Sequence, residues 1–417
     1  MNCSSCGKNN PKGAAFCGQC GTKFEALASN KPPVTQTDTQ PSPVANRRQP
    51  SITIAIVVAA VIVLGVLGFL VTRRNESRVA TSGVGVTSSE HTALHYNLTD
   101  LTSLANMSTT NIYRLRAGIN NQGQIIGISA RGGLYRDGKV TDIGTYPGFV
   151  DTYPVAINDA GQVLCQGETE VPDFENTTRQ SFVWQDGHIT AIGVSQNIMS
   201  ADGLVAINSK GQIIGNPLQD AMGVPGHEDG FIWDKGQKTS LGDLGGGVST
   251  ATSINNVGQV VGTSLNQMKD THGFLWQDGK MSDLGAFDKG RCNSINDKGD
   301  IVGSAAADGQ LFSHALLIHN GRFTNLEALG SGSAALSINN NGQIAGVSST
   351  GGPSSLRHAV IWENGHIHDL NDCLTTKSFW TLTAATKIND RGQLLAEGTD
   401  KPDDNSKPSH LFLLTPQ

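Results

Sequence analysis

The sequence INNQGQIIG at residues 119–127 recurs, with small changes, six more times in the chain. In every copy a Gly stands three residues after the Asn, and a short apolar run follows. The other copies read INDAGQVLC from Ile157, INSKGQIIG from Ile207, INNVGQVVG from Ile254, INDKGDIVG from Ile295, INNNGQIAG from Ile338 and INDRGQLLA from Ile388. Seven copies of this Ile-Asn motif indicate a repeat structure in which each repeat packs against its neighbours.

Each copy of the motif has the residue types of a β-hairpin turn. The β-branched Ile suits the end of a strand, and the Asn side chain can brace a turn by hydrogen bonding to nearby backbone groups. The Gly takes a left-handed conformation at low cost before the next apolar strand begins. The motif therefore predicts two strands joined by a tight turn.

A second recurring segment lies between the copies of the motif. It reads FVWQDGHITAIG from Phe182, FLWQDGKMSDLG from Phe274 and AVIWENGHIHDL from Ala359. In each case an apolar strand meets a DG or NG turn, and a strand of alternating polar and apolar residues follows. The two units together predict four short strands per repeat, and no helical period is visible after residue 92.

The spacing of the motif predicts a closed ring of repeats. Copies are 38 to 50 residues apart, and about 45 residues is the length of a four-stranded β-propeller blade. Only one strand, HLFLLTPQ, follows the seventh copy, while an extra strand at about residues 96–104 precedes the first. We expect this strand to complete the last blade of an all-β, seven-bladed propeller, because closure removes exposed sheet edges that an open solenoid would have to cap.

The alternation of the Ile-Asn motif with segments such as HGFLWQDGKMSDLG resembles the HAF family of extracellular repeat proteins, over roughly residues 94–417. The resemblance implies an exported, β-rich repeat domain of poorly defined function, and it implies no reaction. The histidine that gives the family its name stands at His272, His314, His358 and His410. Three repeats depart from the pattern, with Gly132, Gln180 and Asp229 in its place.

We assign structural roles to the polar and aromatic residues that recur in the repeats. Each motif histidine is expected to hydrogen bond a neighbouring turn of its own blade, in preference to forming a ring of metal ligands. Asp159, Asp297 and Asp390 supply one carboxylate per turn, which is too little charge for a calcium loop. Four tryptophans at one repeat position predict blade packing rather than a sugar-stacking platform. These are Trp184, Trp233, Trp276 and Trp362.

The repeats contain no sequence motif that is typical of an enzyme active site or a nucleotide-binding site. No nucleophile motif, HExxH sequence, phosphate-binding loop or dinucleotide fingerprint occurs. Cys165, Cys292 and Cys373 stand at different repeat positions and are expected to be buried strand residues. The net charge of the 417 residues is -6, and because residues 1–50 carry +4 the rest carries -10, which argues against nucleic acid as a partner.

Residues 52–71, ITIAIVVAAVIVLGVLGFLV, contain no charged side chain. Twenty helical residues cover about 30 Å, the thickness of a bilayer core, so we expect one transmembrane helix. A cleaved signal peptide is the less favoured alternative, because the apolar run is long, fifty residues precede it and Arg73 and Arg74 follow it. A buried helix of a soluble domain is also disfavoured, since the run has no polar face.

Two CxxC pairs at the N-terminus, Cys3 with Cys6 and Cys17 with Cys20, predict one structural zinc ion. Four thiolates at this spacing suit the tetrahedral coordination of Zn²⁺. The segment resembles the short zinc ribbons at the N-termini of many bacterial membrane proteins, over about 24 residues. Two disulfides or thioredoxin-like redox pairs are the alternatives.

The zinc ribbon also predicts the orientation in the membrane. Arginines flank residues 52–71 almost equally on both sides, so the positive-inside rule decides little. Zinc thiolates persist in a reducing compartment, which places the N-terminus in the cytoplasm and the repeats outside. A cytoplasmic adaptor of reversed topology is the alternative. The predicted order is zinc ribbon 1–24, disordered linker 25–51, transmembrane helix 52–71, polar stalk 72–91 and propeller 92–417.

These features favour a membrane-anchored binding protein over an enzyme. Its propeller would recognise a protein or carbohydrate partner through the long segments at residues 167–180 and 215–230. The alternative is an exported hydrolase or lyase whose carboxylates converge on the central channel, with Asp283 and Asp369 as candidates.

Overall fold

A computed structural model describes residues 94–104, 116–128, 132–168, 179–195, 203–216, 229–286, 290–305, 313–351, 356–400 and 410–417. The zinc ribbon, linker, transmembrane helix and stalk expected from the sequence lie outside these residues. Of the two units into which the chain divides, all described residues belong to the second, Glu90–Gln417. Within the described part of the chain, no helix combines the length and the apolar character needed to cross a membrane.

The described residues form 28 strands in seven antiparallel, four-stranded sheets. The first elements are β1 (Tyr96–Asp100) and α1 (Leu101–Leu104). Blade 1 contains β2 (Gly118–Ile119), β3 (Ile125–Ile126), β4 (Gly133–Arg136) and β5 (Lys139–Asp142). Blade 2 contains β6 (Asp151–Ile157), β7 (Val163–Glu168), β8 (Arg179–Gln185) and β9 (His188–Ser195). Blade 3 contains β10 (Gly203–Ile207), β11 (Ile213–Asn216), β12 (Phe231–Asp234) and β13 (Gln237–Ser240).

The remaining four blades repeat this arrangement. Blade 4 contains β14 (Gly245–Ile254), β15 (Val260–Asn266), β16 (Thr271–Gln277) and β17 (Lys280–Ala286). Blade 5 contains β18 (Arg291–Ile295), β19 (Ile301–Ala305), β20 (His314–His319) and β21 (Arg322–Asn325). Blade 6 contains β22 (Ser333–Ile338), β23 (Ile344–Ser349), β24 (Arg357–Glu363) and β25 (His366–Asp369). Blade 7 contains β26 (Thr381–Ile388), β27 (Leu394–Thr399), β28 (His410–Pro416) and β1.

The blades close into a ring. The first strand of every blade lies against the first strands of both neighbouring blades, including β26 of blade 7 and β2 of blade 1. The first strands therefore surround a central axis, and the fourth strands lie at the periphery. The predicted seven-bladed propeller of four-stranded blades is confirmed.

Closure of blade 7 by the N-terminal strand is confirmed as well. Strand β1 pairs with β28 in antiparallel register, with Tyr96 opposite Pro416 and Asp100 opposite Phe412. The strand ends at Asp100 rather than near residue 104 as the sequence predicts. The reason is local, because Asp100 Oδ1 accepts a hydrogen bond of 3.0 Å from Thr102 N and thereby starts the short helix α1.

The turns have the geometry that the two recurring segments predict. The motif glycines have φ between 72° and 100°, and in blade 4 Gly258 N donates to Asn255 O at 3.2 Å. Between third and fourth strands, residues such as Asp278 (φ 50°) and Gly279 (φ 82°) are both left-handed, as a type I′ turn requires. Blade 3 places Lys235 in the first of these positions, with φ 49°.

The apolar core lies between neighbouring blades. Val260, Phe274 and Trp276 of blade 4, for example, pack with Ile214 and Ile232 of blade 3. Trp184, Trp276 and Trp362 are buried, which confirms the predicted packing role for these three. Trp233 is only half-buried and differs from them.

Close packing inside a blade also explains the glycine that ends the motif. A Cβ atom on Gly262 would overlap the Thr250 carbonyl oxygen of the adjacent strand and the Phe274 ring. The sheet can be this compact only because the position has no side chain.

The two ends of the propeller differ in their connections. Every motif turn and every type I′ turn lies at one end, because antiparallel strands reverse at each connection; we call this end the turn face. Its connections have a constant length, five residues between first and second strands in all seven blades and two between third and fourth strands in blades 1 to 6. The other end, the loop face, has connections from four residues, between Ser240 and Gly245, to seventeen, between Asp100 and Gly118.

Candidate functional site

The seven motif asparagines form a closed hydrogen-bonded ring around the axis at the turn face. Each is buried, and its Nδ2 donates to the backbone oxygen of the corresponding asparagine in the next blade, at 2.8 to 3.1 Å. The last bond, from Asn389 to Asn120, joins blade 7 to blade 1. The ring contains Asn120, Asn158, Asn208, Asn255, Asn296, Asn339 and Asn389.

The same side chains also hold the turns of their own blades. Asn339 Oδ1 accepts from Asn341 N at 3.1 Å and from Gln343 N at 2.9 Å, while its Nδ2 donates to Gln343 Oε1 at 2.7 Å. The sequence predicts this turn contact but not the contact between blades. The presence of Asn in all seven copies could have indicated the contact between blades. Ser or Asp would be enough to brace a turn, so a turn alone does not require Asn every time.

A second, wider set of hydrogen bonds follows the first ring. In six of the seven blades, the residue after the asparagine donates its backbone N–H to the side chain of the equivalent residue in the next blade, as in Asn256 N to Asp297 Oδ1 (2.7 Å) and Asn340 N to Asp390 Oδ1 (2.8 Å). The amide of Asn340 also donates to both Asp297 and Asp390, at 3.1 and 3.0 Å. Each carboxylate is thus bound by neighbouring amides.

The motif turns enclose a polar mouth of the axial channel with a volume of about 170 Å³. The mouth brings together Asp159, Asp297 and Asp390, the three acids of the motif turns. Asparagine amides stand between them, and no group of three or more His, Cys, Asp or Glu side chains in the described residues is arranged to hold a metal ion.

Lys387 is the exception among the residues that precede the motif isoleucines. Its counterparts are small: Gly118, Ala156, Ala206, Ser253, Ser294 and Ser337. Lys387 lies on β26, the innermost strand of blade 7, and its side chain keeps exposed surface. Burial by surrounding protein nevertheless lowers the pKa of Lys387. Both properties fit a side chain that projects into a narrow, solvent-filled channel.

Arg116 links two blades that are not neighbours. Its side chain, at the start of blade 1, donates from Nη1 to the Leu204 backbone oxygen of blade 3. This contact passes over blade 2. The sequence analysis identified neither this contact nor the unusual position of Lys387.

Three recurring histidines pair with acids of the same blade. His272 Nδ1 lies 2.9 Å from Asp283, His358 Nδ1 lies 2.6 Å from Asp369, and His410 Nδ1 lies 2.8 Å from Asp100. Each acid also accepts a backbone N–H from two residues further along the chain, for example that of Gly285 on Asp283 at 2.7 Å. The expected hydrogen bond between histidine and turn is therefore wrong for these blades, because each histidine bonds a carboxylate of the fourth strand instead.

The pairs correct one part of the enzyme hypothesis. Asp283 and Asp369, its candidate channel carboxylates, belong to fourth strands and bind histidines at the periphery of their blades. They do not converge on the channel, because the fourth strand is the one farthest from the axis. Blade 5 departs from the pattern, since Asn325, opposite Leu316, stands where Asp283 stands opposite Phe274 in blade 4.

The other residues singled out by sequence fall into two groups. Cys165, Cys292 and Cys373 are buried and free, with Cys373 in a turn rather than a strand. The long segments at residues 167–180 and 215–230 connect second to third strands and so belong to the loop face, but residues 169–178 and 217–228 lie outside the described residues.

Comparison with known proteins adds likenesses of fold. No protein-family model matches the chain, and no curated protein matches it. The β-propeller domain of the Trilobed protease from Pyrococcus furiosus is 10% identical over 77% of this chain and 94% of that one, with a TM-score of 0.47. YCF48 bound to D1 peptide is 8% identical over 77% and 96%, with a TM-score of 0.41. The SapL1 lectin in complex with alpha methyl fucoside is 12% identical over 62% and 98%, with a TM-score of 0.35. Similarity at this level does not extend to a ligand.

Proposed function

We propose that the chain is a membrane-anchored binding protein whose exported propeller recognises a protein or carbohydrate partner through its loop face. In this proposal residues 52–71 form the single membrane span. Cys3, Cys6, Cys17 and Cys20 hold a structural zinc ion on the cytoplasmic side. The resemblance to HAF repeat proteins supports export of the repeat domain.

The observation that carries the proposal is the contrast between the two faces. Turn-face connections are uniform in length and are fixed by the asparagine ring, whereas loop-face connections range from four to seventeen residues. Binding residues commonly stand on variable loops that a rigid scaffold positions. A scaffold locked at one end therefore presents its variable loops at the other.

The test replaces residues 169–178 or 217–228 of the full-length chain with a short Gly-Ser linker. Both variants should fold, with unchanged circular dichroism and thermal midpoint, because the changes avoid the described strands. Binding of the labelled protein to cell surfaces and to glycan arrays should fall at least about tenfold. The control is Met268→Ala, an exposed residue of a short loop-face connection. Binding that stays unchanged in both linker variants would contradict the proposal.

A hydrolase or lyase that uses the channel is the second candidate, and the observation in its favour is Lys387. Burial lowers the pKa of Lys387, and a lysine with a lowered pKa is a better general base or nucleophile than an ordinary surface lysine. Turnover of nitrophenyl esters, nitrophenyl glycosides and fluorogenic peptides by the full chain should then fall at least about a hundredfold in Lys387→Met. It should persist in the exposed control Lys280→Met. Equal turnover in both variants would exclude Lys387 from any reaction.

A further inference from the structure

A groove of about 470 Å³ lies between blades 2 and 3, near the turn face. One wall is β9, which presents His188, Thr190 and Ile192 at alternate positions, and Trp233 of β12 forms part of the other. The volume lies within the range of about 300 to 1,000 Å³ that is usual for small-molecule sites. The groove shares only Ile207 with the lining of the channel mouth, and it lies at the opposite end of the blades from the loop face.

Trp233 is the tryptophan that departs from its repeat position. Trp184 and Trp276 are each 8% exposed and Trp362 is 1% exposed, and the Nε1 of Trp362 donates to the Glu327 backbone oxygen at 2.9 Å. Trp233 is half-buried and lines the groove, and its Nε1 donates to no acceptor in the described part of the chain. Its indole therefore offers the groove both an apolar surface and an N–H donor.

Gln162 departs from its repeat position in a similar way. In blades 3, 4 and 6 the equivalent glutamine Nε2 donates to the end of the third strand, as Gln212 does to Asp234 at 3.1 Å and Gln343 does to Glu363 at 2.6 Å. In blade 2 the third-strand residue Gln185 instead donates to Ala160 O at 2.9 Å. Gln162 Oε1 accepts from Asn158, but its Nε2 has no acceptor in the described part of the chain.

The groove thus gathers several hydrogen-bonding groups beside one aromatic side chain. Gln162 and Trp233 supply donors, Asp186 supplies carboxylate acceptors, and His188 and Thr190 can do both. Ile192 and Ile207 add apolar surface. One acid and one histidine give the groove little net charge, which suits a neutral ligand better than a phosphate or a cation.

We propose that this groove binds a neutral pyranose sugar, with the apolar face of the ring against Trp233 and its hydroxyls on the surrounding polar groups. A pyranose has the alternation of C–H face and equatorial hydroxyls that such a lining can match. The site goes beyond the loop-face function, because it lies at the opposite end of the blades and needs none of the long connections.

The test measures binding of five probes to the full-length chain by isothermal titration. The probes are the methyl glycosides of glucose, galactose, mannose, fucose and N-acetylglucosamine. At least one should bind saturably, and its Kd should rise at least about tenfold in Trp233→Leu, which keeps apolar bulk. It should also rise in His188→Ala/Thr190→Ala, whose positions are exposed. The matched control is Lys280→Ala/Ser282→Ala at the equivalent positions of blade 4, which should bind as the wild type does.

Two results would overturn the inference. One is the absence of binding for all five glycosides up to about 20 mM with folded wild-type protein. The other is binding that the groove variants leave unchanged. Failure of the loop-face function is distinguishable, because deletion of residues 169–178 or 217–228 should leave glycoside titration at the groove unaffected.

Discussion

At the level of single residues, the motif asparagines join two tasks in one side chain. The side-chain oxygen (Oδ1) of each Asn accepts hydrogen bonds from its own turn, and the side-chain nitrogen (Nδ2) donates to the next blade, as Asn255 shows. Aspartate at this position would lack the amide donor, and serine would be too short to reach both partners. This is the physical reason why Asn occupies all seven positions while the following residue varies among Asn, Asp and Ser.

Replacement of one ring asparagine should destabilise the whole propeller. In Asn255→Ala, the backbone groups of one turn and the Asn296 carbonyl oxygen lose buried partners. Each buried group without a partner costs about 1 to 3 kcal/mol, so we expect a loss of at least about 2 kcal/mol in the free energy of unfolding. Denaturant unfolding of the full chain measures this loss in the free energy of unfolding.

Val257→Ala is the control for this variant, because Val257 lies in the same turn but is 57% exposed. It should change the free energy of unfolding by less than about 0.5 kcal/mol. Equal losses in the two variants would show that the ring does not stabilise the fold.

The His358–Asp369 pair should make stability depend on pH. The hydrogen bond to Asp369 raises the pKa of His358. Burial acts to raise the pKa of Asp369, but the hydrogen bonds from His358 and Asn371 outweigh it and the pKa is lowered. The histidine contribution is complete below about pH 6.5 and is lost as the pH rises through its raised folded-state pKa. The aspartate contribution is present above about pH 3.9 and is lost as the pH falls through its lowered pKa.

Asp369→Asn should therefore cost more stability near pH 5.5 than near pH 8.5. Denaturant unfolding at both pH values measures the difference. The exposed Asp270→Asn serves as the control and should show no such dependence. A cost in Asp369→Asn that is the same at both pH values would mean that the pair is not charged in the folded protein.

At the level of strands and turns, the local sequence predicts most of the turns and strands that the structure contains. The Ile-Asn and DG or NG turns occur where their residues indicate, because each specifies its own backbone conformation. The end of β1 was missed by four residues, since the capping bond of Asp100 competes with strand pairing. The half-burial of Trp233 was also missed, because a repeat pattern assigns all equivalent tryptophans the same environment.

Strand β1 should contribute a large share of the closure energy through Tyr96. This side chain is 1% exposed and packs in a cluster with Leu370, Leu382 and Phe412 of blades 6 and 7. Tyr96→Ala should lower the free energy of unfolding by about 3 to 5 kcal/mol, the usual cost of removing a buried aromatic ring.

Tyr96→Phe keeps the ring and should retain most of the stability. Thermal and denaturant unfolding of the two variants give the comparison. If Tyr96→Ala unfolded like the wild type, β1 would be a loosely attached strand rather than the closure of the ring.

At the level of the whole molecule, the N-terminal zinc ribbon is a prediction that metal analysis can test. Chain purified under reducing conditions should contain about one zinc ion. Cys17→Ser should lose most of it, because three thiolates hold structural zinc poorly. Cys373→Ser is the control, since this free, buried cysteine belongs to the propeller. Zinc content that is unaffected by Cys17→Ser would place the metal elsewhere.

The sequence by itself determined the number of blades, the strands in each, the turn types and the strand that closes the ring. It could do so because turn conformation and strand alternation depend on residues close together in the chain. Only the tertiary structure decided that the motif asparagines bind one another around an axis, that Arg116 of blade 1 bonds the backbone of blade 3, and that Asp283 and Asp369 lie away from the axis. The bonds of the asparagine ring join residues 38 to 269 positions apart, and their geometry exists only after the seven blades have closed.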